Sequence, residues 1–131
     1  MLIYTALVTL AALFVYLWFA VLVGKARIQY KIAAPAVTGD PAFERLYRVQ
    51  MNTLEWLPIF LPSLWLFAYF VSDAGAALLG LVWIGGRIAY KQGYEAAAEK
   101  RSLGFGIQGL AAAVLALGAL IDILARLVMG H

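Results

Sequence analysis

No cysteine occurs in the 131 residues of the chain. That absence removes disulfides, thiolate-bound metals and a protein thiol nucleophile at once, so any sulfur chemistry must arrive on a ligand. Histidine is nearly as scarce: the single copy, His131, is the last residue, where a side chain is expected to be solvated rather than ligating. Nothing therefore points to a bound metal. Charge is thin as well. Acidic and basic residues together make up 13% of the chain, the net charge is only +3, and the cations are scattered, which argues against a nucleic-acid partner. Apolar residues fill the space instead. A hydrophobic content of 65% and a mean hydropathy of +0.88 lie far from the soluble average and describe an integral membrane protein. The length leaves room for one domain, residues 1–131.

Leu2 to Gly24 carries no charged residue, about what is needed to cross roughly 30 Å of hydrocarbon. Met1 to Tyr4 lacks the basic start of a signal peptide, so this segment reads as a retained first span. Lys25, Arg27 and Lys31 follow, and Pro35, Gly39 and Pro41 mark a loop. Asp40-Pro41 fits a cap followed by proline at the first helical position, so a second helix should begin there. Pro58 and Pro62 lie inside that helix, free the carbonyls of Leu54 and Pro58, and are expected to bend it. Ser72 to Gly75 reads as a tight turn. Ala76 to Gly86 opens a third span rich in small residues, with Gly85-Gly86 suited to close helix contact. Lys91 to Arg101 is expected to be a polar connector, and Ser102 to Ile121 is a fourth uncharged span. The fold class is thus all-α: a four-helix transmembrane bundle with spans of about 2–24, 41–72, 74–93 and 102–126.

The most informative stretch is the start of the second helix. Arg48, Asn52 and Glu55 stand at i, i+4 and i+7, within about 60° of one another on one helical face, and Arg45 extends the same stripe. Ionisable groups at the edge of a bilayer are costly unless they pair or line a polar cavity. Nine of the ten lysines and arginines fall at the ends that share a side in a four-span hairpin arrangement, and only Arg126 falls at the other. The positive-inside rule then puts both termini outside and the basic connectors in the cytoplasm. On that side Arg27, Arg45, Arg48, Arg87, Lys91 and Arg101 gather with Asn52, Glu55, Tyr90 and Tyr94. Such a set suits an anionic, peptide-like ligand, with arginines gripping carboxylates and Glu55 holding an ammonium. Snorkelling and helix-to-helix ion pairs are the simpler alternative.

The run Phe43 to Glu55, with Arg-x-x-x-Asn-x-x-Glu at its centre, resembles the signature of the MAPEG family, the membrane-associated proteins of eicosanoid and glutathione metabolism. Ala26-Arg27, the Pro35 to Gly39 loop, Arg87-x-x-Tyr90-x-Gln92-Gly93-Tyr94 and Arg101 fall at the spacings of its leukotriene synthase and microsomal glutathione transferase branch. The resemblance implies a homotrimer that binds glutathione as co-substrate at each subunit interface. By position, Arg48, Asn52, Glu55, Tyr90 and Tyr94 would contact glutathione from one subunit, and Arg27 and Gln50 from its neighbour. Arg101 would be catalytic, holding the thiol as thiolate for attack on a hydrophobic electrophile or lipid from the bilayer. Conjugation is the expected activity, with glutathione peroxidase activity toward lipid hydroperoxides beside it. The expected setting is a bacterial inner membrane, with periplasmic termini and a cytoplasmic site.

Three departures bear on the substrate. Trp56 stands where the leukotriene synthase has tyrosine, Ile28 where it has a second arginine, and the fourth span has no aromatic residue after Phe105. These favour a broad transferase over leukotriene formation. The same fold also serves as a non-catalytic lipid binder in the lipoxygenase-activating branch, for which Arg101 and the tyrosines would have no use. A small four-span drug exporter would need a carboxylate in the first span, and Leu2 to Gly24 has none.

Overall fold

A computed structural model describes residues 1–130; the expectation for His131 lies outside the described residues. Four long helices account for nearly all of it: α1 (Ile3–Tyr30), α2 (Pro41–Phe70), α3 (Asp73–Ala96) and α4 (Ser102–Met129), with a 3-10 turn at Ala98–Arg101 leading into α4.

Local chemistry explains most boundaries. Asp40 takes an extended conformation and its Oδ1 accepts from the amides of Ala42 (2.9 Å) and Phe43 (3.4 Å), while Pro41 occupies the first helical position, where no donor is required. α2 then runs unbroken through Pro58 and Pro62. The expected turn at Ser72 to Gly75 is shorter than the sequence suggests. Ser72 is itself a cap, its hydroxyl accepting from the Gly75 amide at 2.9 Å, so α3 starts at Asp73 and only Val71 and Ser72 separate it from α2. The expected connector from Lys91 is also corrected, because α3 continues through Gly93 to Ala96. Lys91 bridges to Glu95 one turn on (2.9 Å) and lies 4.9 Å from the centroid of the Trp18 ring. An i, i+4 pair and a cation–π contact hold the helix where glycine alone would loosen it.

Among the described residues three segments, Ile3–Tyr30, Pro41–Phe70 and Ala98–Met129, are long and apolar enough to cross a membrane. α3 is 24 residues long, about 36 Å, which is sufficient length, but it does not join them because it carries Arg87, Lys91 and Glu95. Arg87 and Lys91 turn inward and are buried against protein. A hydropathy average treats every side chain as if it met lipid, and here the cations do not.

The largest part of the core is an apolar seam among all four helices that includes Phe60 and Trp83, whose rings stack at 3.9 Å and 4°; smaller clusters gather at Val23, Ala26, Ile32 and Phe43 and at Phe19, Val49 and Tyr90. α3 and α4 approach most closely where Gly86 and Gly104 face each other. A Cβ on Gly86 would stand 2.7 Å from the Gln108 amide nitrogen, and one on Gly104 would collide with the Tyr90 backbone and the Gly86 carbonyl. Of the Gly85-Gly86 pair, only Gly86 makes the close contact; the space around Gly85 within the chain is open.

At the end of the bundle away from the basic loops, helices cap one another. The Asp73 carboxylate accepts from the Thr5 amide (2.9 Å), the Thr5 hydroxyl (2.7 Å) and the Tyr4 amide (3.2 Å), so it supplies α1 with the cap that Leu2 cannot. These donors hold its carboxyl below the usual range, the Thr5 hydroxyl most of all. Arg126 pairs with Asp122 (2.6 Å) and donates to the Phe70 carbonyl at the end of α2 (3.0 Å). A carboxylate at a helix start and a guanidinium at a helix end both complement the helix dipole.

Candidate functional site

The crossing of α3 over α4 determines which side chains meet. Because Gly86 and Gly104 let the two backbones touch, Tyr90 of α3 is brought against Phe105 of α4: its ring lies 6.0 Å from Phe105 and 5.5 Å from Tyr94 on its own helix. Farther on, Gly93 sits directly under the Lys100 carbonyl, so the chain can reverse within a few residues. That reversal places Arg101 with its guanidinium 5.6 Å from the Tyr94 ring centroid, its Nη1 donating to the Ala98 carbonyl at 2.9 Å.

Between these groups and the stripe on α2 lies a cavity of about 530 Å³. Arg48 and Asn52 form one wall, Tyr90 and Tyr94 the second, and Arg101, Ser102, Phe105 and Gly106 the third. Asn52 Oδ1 is buried without a hydrogen-bond partner, an acceptor ready for a ligand donor. Phe105 is backed by Trp56, their rings meeting edge to face at 5.6 Å. The Trp56 indole therefore supports the apolar wall of the cavity rather than offering a hydroxyl. A volume of this size lies in the range of small-molecule sites. Two guanidiniums, an amide and two phenols facing one space favour an anion with peptide-like polar groups.

Of the eight residues singled out from the sequence, the structure brings five onto the cavity wall: Arg48, Asn52, Tyr90, Tyr94 and Arg101. Glu55 stands beside it, its Oε1 accepting from Arg48 Nη2 at 3.2 Å. Arg27 and Gln50 do not reach it. Arg27 holds the first loop, donating to the carbonyls of Ala36 (2.7 Å) and Ile32 (3.3 Å) with its guanidinium 5.1 Å from the Phe43 centroid. Gln50 lies about 200° around α2 from Arg48, on the far side of the helix.

The six cations expected to gather do not form one pocket. Only Arg48 and Arg101 line the cavity; Arg45 shares with Arg48 and Tyr94 a smaller recess of about 270 Å³, and Lys91 is taken up by Glu95 and Trp18. Arg87 is buried behind Tyr90. Three wall residues, Ser102, Phe105 and Gly106, were not singled out as ligand contacts. Their spacing of three and four marks one helical face, but only the α3–α4 crossing shows that this face looks into the cavity.

The MAPEG family model matches residues 5–121. Over 126 residues the chain is 49% identical to an uncharacterized protein of Synechocystis sp., covering 96% of this chain and 92% of that protein. It is similar to microsomal glutathione S-transferase 2 of Homo sapiens, with 48% identity over 104 residues, 79% of this chain and 71% of the relative. It is also similar to leukotriene C4 synthase of Bos taurus, with 41% identity over 96 residues, 73% of this chain and 64% of that enzyme. The matched region contains every residue that lines the cavity, from Arg48 to Gly106, and on this ground the chain belongs to the MAPEG family.

Proposed function

We propose that the protein is a membrane-bound glutathione transferase that joins the glutathione sulfur to hydrophobic electrophiles drawn from the bilayer. The observation that carries this reading is the convergence of Arg48, Asn52, Tyr90, Tyr94 and Arg101 on one cavity. The names of the relatives, a glutathione S-transferase and a leukotriene synthase, support it.

The chemistry follows from electrostatics. A free thiol with a pKa near about 8.5 is mostly protonated at neutral pH. A guanidinium beside the sulfur favours the charged form, so Arg101 acts as the thiolate stabiliser. Arg48 holds a ligand carboxylate, and the orphaned Asn52 Oδ1 accepts from a ligand N–H or ammonium. The thiolate then attacks the electrophilic carbon; the S–C bond forms as the bond to the leaving group breaks and takes its electron pair away. Phe105 and Gly106 give the cavity an apolar side on α4, the helix whose exposed face carries Leu103 and Leu110. That side suits a reactant dissolved in lipid.

The working assembly in this reading is a homotrimer with its sites at the cytoplasmic ends of the helices. Arg27 and Gln50 lie off their own subunit's cavity, which supports their serving a neighbour's.

The test is Arg101→Ala in detergent-solubilised protein, with and without glutathione. The near-ultraviolet thiolate band of bound glutathione should appear in the parent and disappear in the variant, while calorimetric affinity stays within a few-fold and turnover with a hydrophobic electrophile collapses. Undiminished turnover would remove Arg101 from the mechanism. Absence of glutathione binding by the parent at millimolar concentration would refute the transferase itself and turn attention to lipid presentation.

A further inference from the structure

One charge next to the cavity has no role in the chemistry above. Arg87 is 0% exposed, beside the apolar seam that contains Trp83. Its Nη2 donates to the Thr53 hydroxyl at 2.7 Å, and that hydroxyl in turn donates to the Val49 carbonyl at 2.7 Å. Arg87 Nε and Nη1 are buried with no partner at all.

More telling is what does not face it. The ion pairs among the described residues are Arg48–Glu55, Lys91–Glu95 and Arg126–Asp122, and none includes Arg87. On its own helix it lies against the rings of Trp83 and Tyr90, with the already paired Lys91 one turn on, and α2 presents the neutral Thr53 hydroxyl. The cation of the turn before α4, Arg101, stands against Tyr94. The residues of α1 and α4 packed around Tyr90, Phe19 and Phe105, are uncharged. A buried cation whose contacts are neutral and which has no carboxylate paired to it is strongly disfavoured unless an anion comes to it. A single ring separates Arg87 from the cavity: its guanidinium lies 4.5 Å from the centroid of the Tyr90 ring, and Tyr90 lines the cavity.

We infer that Arg87 is a third cation of the glutathione site, a positioning residue whose charge takes the bound anion as its counterion from behind the Tyr90 ring. It acts in two ways. The cation–π contact fixes the orientation of Tyr90, and the field of the buried charge, poorly screened in the bundle, adds to that of Arg101 at the sulfur. This inference rests on the transferase reading.

The experiment compares Arg87→Met and Arg87→Lys with the parent, all full length and in detergent, by titrating the thiolate band of bound glutathione against pH. Methionine keeps the apolar bulk and removes the charge, a replacement that buried cations commonly tolerate. A unit charge about 10 Å from a titrating group, at an effective dielectric of about 20, moves its pKa by about one unit. Arg87→Met should therefore raise the bound thiol pKa by about one unit, and Arg87→Lys should hold it near the parental value. A thiol pKa that is the same in Arg87→Met and the parent overturns the inference. A pKa raised equally in both variants overturns it too, because geometry rather than charge would then be responsible. Failure of the transferase reading is seen separately, in the parent: no calorimetric glutathione binding, or binding without a thiolate band.

Discussion

Replacing Gly93 by alanine isolates the step that places Arg101. In an exposed helix this change stabilises by up to about 1 kcal/mol, because glycine is the poorer helix former. Here the new methyl would fall onto the Lys100 carbonyl oxygen and within 3.0 Å of its carbon. Both are backbone atoms of the turn Ala98–Arg101, so no flexible side chain can swing away. Overpacking of this kind costs about 1–3 kcal/mol, and relief requires the turn to lift off α3. Arg101 is the last residue of that turn and rides with it, away from Tyr94. A displacement of about 1 Å at a reacting centre lowers rates by about 100-fold. Gly93→Ala should thus lower the melting temperature modestly, diminish the thiolate band and reduce turnover by about 10- to 100-fold at saturating glutathione. Gly85→Ala, made in the same helix where an added Cβ meets nothing within 4 Å, should leave all three unchanged. If Gly93→Ala keeps the parental band and rate while Arg101→Ala loses both, the turn has absorbed the methyl and the steric reasoning is wrong.

Asp73→Asn should flatten the acid limb of stability. The Asp73 carboxyl titrates below its ordinary range because the folded state donates to its charged form, so its contribution is complete above about pH 4 and is lost as pH falls through the lowered value. Melting temperatures measured from neutral pH downward should fall less steeply in the variant, and parallel acid limbs would show that the cap on α1 carries no pH-dependent stability. Phe60→Ala removes one partner of the stack on Trp83 from a fully buried position and should cost about 3–5 kcal/mol, read as loss of the folded bundle on heating at a much lower temperature. A loss below about 1 kcal/mol would mean that the seam closes over the gap.

The start of α2 was legible because everything that creates it is local: Asp40, Pro41 and the stripe at Arg48, Asn52 and Glu55 act within one or two turns. The end of α3 was not, since the polar run with Gly93 reads as a loop until Lys91 is seen held by Glu95 and Trp18, the latter 73 positions earlier in the chain. The cross-caps of Asp73 on α1 and Arg126 on α2 join residues 68 and 56 positions apart and leave no local signal. Spacing named the cations of the candidate site but could not sort them. Helical period alone gives Arg87, Tyr90 and Tyr94 one face; it does not say that the two tyrosines reach the cavity while the arginine stays behind them. That division comes from the contact of Gly86 with Gln108 and of Gly104 with Tyr90, which fixes the depth of α3 against α4 to within an atom's width. Two glycines with no chemistry of their own thus decide which cations line the cavity and which one stands behind a ring.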